Sequence, residues 1–180
     1  MDSITSRILE VFINEPEKEF HVRQLSKLLN KSPTTISKYL KKLEKEGILK
    51  SEEKLSHLLF KANYDEENFK RLKRDYNLKK IGDSKLVDFL IKTFNEPKTI
   101  VLFGSYAKGE NISNSDIDLF VLSPIKKEIS LMKFEEKLKC PVHLIIKSSQ
   151  EFEKMKEKNP ELLNSIINGM VLHGYLEAFK

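Results

Sequence analysis

Several residues in the second half of the chain could do chemistry by type and spacing. Asp116 and Asp118 stand two apart in Asn114-Ser115-Asp116-Ile117-Asp118-Leu119-Phe120-Val121. On an extended segment, positions i and i+2 point to one side, so the carboxylates project together while Ile117 turns to the core. Two carboxylates on one face can bind one or two hard divalent cations, Mg2+ or Mn2+. Such ions neutralise the charge of a triphosphate and activate an attacking hydroxyl. Gly104 and Ser105 follow the apolar run Thr99-Ile100-Val101-Leu102-Phe103. A glycine there lets backbone N–H groups approach phosphate oxygens closely, and the serine hydroxyl is a further donor. Lys108 can add positive charge. A second group lies nearer the start, where Thr34, Thr35, Ser37, Lys38, Lys41 and Lys42 occupy one segment. Short hydroxyls followed by lysines suit insertion into the major groove of double-stranded DNA, with phosphate contacts behind. Lys54 and His57 are candidates for a further contact.

These groups need elements to carry them. Ile4, Ile8, Leu9, Val11 and Phe12 recur at helical spacing between Ser3 and Ile13, and Asn14-Glu15-Pro16 ends that helix. A short extended piece, residues 19–22, leads to a helix over 23–29. Ser32 is a natural N-cap with Pro33 at the first helical position, so the next helix spans Thr34 to Glu46 and stops at Gly47. Residues 48–50 and 58–62 are predicted strands joined by a polar stretch from Ser51 to His57. The charged segment 64–80 reads as a connecting helix, followed by a helix over about 83–94. The run 99–103 is a buried strand, 117–122 a second and 142–146 a third, with a helix over about 129–138 between the last two. From Ser149 to Lys180 the chain is predicted helical, with Asn159-Pro160 starting a new helix and Gly169 and Gly174 punctuating its end. The expected domains are 1–64, a connecting segment 65–82, and 83–180.

Composition sets bounds. The chain has 180 residues, 32 Lys+Arg against 27 Asp+Glu, and a formal charge of +5. The excess is concentrated: His21 to Lys50 holds eight basic residues against two acidic ones, the electrostatic footprint of a polyanion-binding face. The alternative is a helix used for protein contact, with its lysines as a solvated face. A single cysteine, Cys140, excludes a disulfide framework and a cysteine metal knuckle within the chain. There is no apolar run long enough for a membrane span and no secretory leader pattern, so a cytoplasmic location is expected.

Helix, strand, helix, turn, helix, two-stranded ribbon is the winged-helix order. The segments Val22-Arg23-Gln24-Leu25-Ser26-Lys27-Leu28-Leu29 and Ser32-Pro33-Thr34-Thr35-Ile36-Ser37-Lys38-Tyr39-Leu40-Lys41-Lys42-Leu43, ending Gly47-Ile48-Leu49, resemble the winged helices of prokaryotic transcription regulators. The later segments, a hydrophobic strand, Gly104-Ser105, about ten residues, then Asp116-Ile117-Asp118 between hydrophobics, resemble the nucleotidyltransferase superfamily related to DNA polymerase beta, in its minimal form. The fold class implied is α+β: an N-terminal winged helix, then a small mixed sheet flanked by helices. The second resemblance implies Mg2+-dependent transfer of a nucleoside monophosphate from an NTP to an acceptor. Asp116 and Asp118 would be the metal ligands, with Gly104 and Ser105 on the triphosphate. Minimal members often work beside a helical partner protein.

Two positions depart from that pattern. Lys108 stands where the superfamily commonly has arginine, keeping the charge and losing the planar fork. Active members usually place a third carboxylate on a later strand. Here that strand is Pro141-Val142-His143-Leu144-Ile145-Ile146, without an acid. Alternation puts His143 on the face where the third acid would sit. His143 is a candidate ligand for Mn2+ or Zn2+, a poor partner for Mg2+, and a base of suitable intrinsic pKa. It can equally be a partly exposed strand residue in a site that has lost its chemistry. Two functions therefore stand: a DNA-associated nucleotidyltransferase, or a DNA-binding regulator whose second domain only binds nucleotide or mediates dimerisation. A homodimer suits either, because winged-helix regulators often pair across two half-sites.

Overall fold

Local sequence signals set most of the first elements. In the computed structural model, which describes residues 3–54 and 57–177, the chain divides into two compact units, Met1–Lys73 and Arg74–Lys180. The first opens with α1 (Ser3–Asn14), β1 (Phe20–His21) and α2 (Val22–Leu29). His21 caps α2, its Nδ1 accepting from the Gln24 N–H at 3.2 Å, and Asn30 ends it in the left-handed region at φ 51°. Ser32 then caps α3 (Pro33–Lys45), its Oγ accepting from the Thr35 N–H at 3.2 Å. Gly47, at φ 73°, closes that helix, and the Ile48 N–H returns to the Leu43 carbonyl at 2.9 Å. Ile36, Leu40 and Leu43 are fully buried with Ile8, Phe12, Leu25, Phe20 and Phe60.

The ribbon is longer than the sequence suggests. β2 (Leu49–Lys54) and β3 (His57–Ala62) pair antiparallel through Lys54↔His57, and β1 joins β3 to give the order β1-β3-β2. The stretch Ser51 to His57, expected as a loop, is therefore mostly ladder. Backbone hydrogen bonds carry an antiparallel pair even where side chains are polar, so no hydrophobic alternation marks its outer half. The part of that expected loop at 55–56 lies outside the described residues.

Helix α4 (Glu67–Ser84) crosses the division between the units, with Phe69 and Lys73 buried in its first half and Asn77 and Ile81 in its second. It runs past the expected break at residue 80 and stops at Lys85, whose φ of 67° cannot continue a helix. Ser84 makes this break locally: its hydroxyl donates to the Ile81 carbonyl and accepts from the Leu86 N–H at 3.1 Å. Then come α5 (Leu86–Thr93), β4 (Thr99–Phe103), α6 (Gly104–Lys108), β5 (Ile117–Leu122), α7 (Met132–Leu138), β6 (Val142–Lys147), α8 (Ser149–Lys158), α9 (Pro160–Ile167) and β7 (Met170–Gly174).

The second sheet has the order β6-β5-β4-β7, with β5 and β6 parallel and the other pairs antiparallel. Every residue of β4 is buried because both faces are covered. Ile100 and Leu102 join Ile117, Leu119 and Val121 in one core with Leu86, Leu90 and Phe94, while Val101 and Phe103 join Phe120 and Leu122 in another with Phe152, Met155, Leu163 and Ile166.

The predicted all-helical C-terminal region requires correction. Helices end at Ile167, and β7 pairs antiparallel with β4. Gly169 permits this: an added methyl would collide with the Leu102 carbonyl oxygen and the Val101 side chain. A five-residue strand recruited by close packing at a glycine carries little periodicity of its own. The end of that expected helix, 178–180, lies outside the described residues. Among the described residues no helix is long and apolar enough to cross a membrane.

Candidate functional site

The carboxylate of Asp118 sits at one end of the β4–β5 ladder. Asp118 pairs with Phe103 on β4 and, in parallel register, with His143 on β6. Strand alternation places it on the face of Phe120 and Leu122, but at the strand's start, where the side chain keeps 27% of its surface in solvent. Gly104, directly after Phe103, has φ 71°, and a methyl there would overlap Asp118 Oδ2. The glycine is needed twice, for a backbone angle that L-residues avoid and for the room the carboxylate occupies. Ser105 is half-buried and Lys108 exposed on the single-turn helix α6.

His143 is 62% exposed, and its Nδ1 lies 3.2 Å from Asp118 Oδ1. The imidazole thus stands on the face that alternation predicts. Asp116 is exposed and lies one residue ahead of β5. The structure therefore brings Asp118, Gly104 and His143 together, with Asp116 beside them in sequence rather than gathered to the same point. Among the described residues no three His, Cys, Asp or Glu side chains form a ready-made metal cluster.

Sequence reasoning missed the group that holds the Gly104–Asp116 connection. Asn77 on α4 is buried and donates from Nδ2 to the Tyr106 carbonyl at 3.0 Å and to Asn111 Oδ1 at 2.8 Å. Ser115 closes the following turn, its Oγ accepting from the Ile112 N–H at 2.8 Å. Tyr106 is buried, and burial, reinforced by a hydrogen bond with Cys140 and by the charge of Asp116, drives its hydroxyl pKa far above the usual tyrosine value, while its bond with Asn111 works the other way. No spacing rule exposes Asn77. Its one visible signal is an amide in a helix whose neighbours at Phe69 and Ile81 are core residues.

The recognition-helix candidates divide. Thr34, Lys38, Lys41 and Lys42 are exposed on α3, while Thr35 and Ser37 are half-buried. The Thr35 hydroxyl is shared with Ser32 at 2.8 Å, so it serves the helix cap. Lys42 lies 3.9 Å from Glu46 in a loose surface pair. Of the ribbon candidates, Lys54 is engaged by Glu19 at 2.7 Å and Glu52 at 3.4 Å, and the His57 ring stacks on His21 at 6.4 Å between centroids.

Comparison with known proteins places both units. The family model of the nucleotidyltransferase domain matches residues 83–173, and that of the bacterial regulatory protein, arsR family, matches residues 2–51. Neither a curated protein nor a solved structure matches the chain. With the first match spanning half of the 180 residues and covering Gly104, Asp118 and His143, the chain belongs to the nucleotidyltransferase domain family, and it carries an ArsR-type helix-turn-helix ahead of that domain.

Proposed function

We propose that the chain is a DNA-binding nucleotidyltransferase that moves a nucleoside monophosphate from an NTP to a hydroxyl-bearing acceptor. The observation that carries the proposal is the Asp118 carboxylate lodged over the left-handed Gly104, with Asp116 two residues before it. In this reading Asp118 and Asp116 hold a divalent cation, and Gly104, Ser105 and Lys108 face the triphosphate. The Asp118 carboxylate fits such an ion, with hard oxygens at the open end of β5 in a cradle that a side chain at residue 104 would fill, and the exposed Asp116, one residue ahead of the strand, would join it. When bound, the cation neutralises charge on the phosphates and polarises the attacked phosphorus. The chain itself supplies orientation. The Asn77–Asn111 bond and the Ser115 turn fix the run between the glycine and the aspartates, so that the substrate meets a preorganised floor.

The exposed Thr34, Lys38, Lys41 and Lys42 would lie along the DNA major groove. A homodimer would present two such helices to half-sites one helical turn apart, about 34 Å.

His143 beside Asp118 favours a second reading. With an imidazole where active members carry a third carboxylate, the domain would bind nucleotide and report its presence to the DNA-binding unit, without transfer. The two readings separate in one assay. Full-length protein is incubated with labelled NTPs and Mg2+ or Mn2+ over a panel of protein, RNA and small-molecule acceptors. Transfer that Asp118→Asn abolishes establishes the enzyme, whereas nucleotide binding without transfer establishes the sensor.

A further inference from the structure

The Asp118–His143 pair has the geometry of two ligands on one ion. Ligands at about 2.1 Å from a cation and at right angles to each other lie about 3 Å apart. Asp118 Oδ1 and His143 Nδ1 are 3.2 Å apart, held by direct register between β5 and β6. The two strands thus set the two residues side by side through their backbones. His143 is also open to solvent on the face where Asp118 emerges, so its ring can turn without disturbing the core.

Resting on the proposed cation site, we infer that His143 is a cation ligand that makes the site select a first-row transition ion, Mn2+ or Zn2+, over Mg2+. Mg2+ is small, hard and reluctant to shed water for nitrogen, and it draws its affinity from negatively charged oxygen. An imidazole brings no charge but bonds well to transition ions, so exchanging a carboxylate for histidine costs Mg2+ more than Mn2+ or Zn2+. The exposed Asp116 would complete the set once the ion and the triphosphate are present.

The test uses the full chain with a non-hydrolysable NTP analogue. Mn2+ is titrated and followed by the electron paramagnetic resonance of the free ion, with Mg2+ as competitor. Pulsed resonance on the bound Mn2+ reports coupling to an imidazole nitrogen. The expected result is a nitrogen coupling in the wild type that is lost in His143→Ala. His143→Asp should narrow the Mn2+-over-Mg2+ preference by about tenfold, the scale on which a ligand-shell change acts. A wild-type signal without nitrogen coupling overturns the inference, as does a preference unchanged in both variants. Asp118→Asn distinguishes the failures. Wild type losing its bound Mn2+ on this substitution upholds the site even when the histidine claim fails. Mn2+ held equally well by Asp118→Asn, or held by no variant at all, sinks the proposed cation site together with the inference. Because His143 is exposed, unchanged thermal melting of its variants is expected and serves as the folding control.

Discussion

Replacing Gly104 with alanine should damage function far more than stability, and the comparison with Gly47→Ala makes this measurable. Both glycines occupy the left-handed region, at φ 71° and 73°. An alanine there costs about 1–2 kcal/mol in either place. Around Gly47 an added methyl meets nothing within 4 Å, so strain is the whole cost. At Gly104 the methyl overlaps the Asp118 carboxylate, but that group is the end of a rotatable side chain. Turning it aside relieves the overlap for about 1 kcal/mol or less. The stability losses of the two variants should therefore agree to within about 1 kcal/mol. Near 100 residues each kcal/mol lowers the melting temperature by about 4–8 °C, so calorimetry of the two transitions resolves this. The displaced carboxylate, however, no longer stands beside His143 Nδ1, and misplacing a reacting group by about 1 Å can cost 100-fold in rate. Gly104→Ala should thus bind Mn2+ at least tenfold more weakly and transfer about 100-fold more slowly, with Gly47→Ala unchanged in both. Wild-type Mn2+ affinity and transfer in Gly104→Ala would refute the cradle.

Other outcomes follow from single observations. Lys38→Ala and Lys41→Ala should each weaken DNA binding and reduce the slope of log affinity against log salt by about 0.9, read by fluorescence anisotropy at several salt concentrations. Burial lowers the Lys73 pKa from 10.5 to about 8, opposed in part by Glu17. The unfolded chain then holds the extra proton between those values, so the Lys73 contribution makes stability rise with pH from about 8 to 10.5, and Lys73→Met should abolish that rise in denaturant titrations. Ser148 caps α8 in a reciprocal box with Glu151, so Ser148→Ala should cost about 1 kcal/mol. Hydrogen bonds from Lys126 and Ser148 hold the Glu151 pKa at about 2. Its contribution is therefore complete above the ordinary value of 4.5 and is lost only as pH falls toward 2, which acid titration of Glu151→Gln against wild type would reveal. Asn77→Leu removes the Nδ2 hydrogen bonds to the Tyr106 carbonyl and to Asn111 Oδ1, and it should raise the KM for NTP while destabilising the protein by about 1–3 kcal/mol.

What the sequence determined by itself was whatever a few neighbouring residues decide. Ser32-Pro33 and Gly47 bounded α3 because caps satisfy backbone groups within a turn of the helix. Period-two alternation placed His143 on the site face because side chains in a strand must alternate. Gly104-Ser105 with Asp116-Ile117-Asp118 announced the second unit because a small residue and two acids at close chain spacing are legible from residue type alone. Tertiary structure alone decided the rest. β7 became a strand because its backbone found β4, about 70 residues earlier in the chain. The Asn77 amide acquired its role from Asn111, 34 residues away. The 3.2 Å separation of Asp118 and His143 came from the parallel pairing of β5 with β6. Each of these depends on which distant backbones meet, and residue type does not encode that at short range. Pairing across the sheet sets it, where hydrogen bonding and burial are satisfied together.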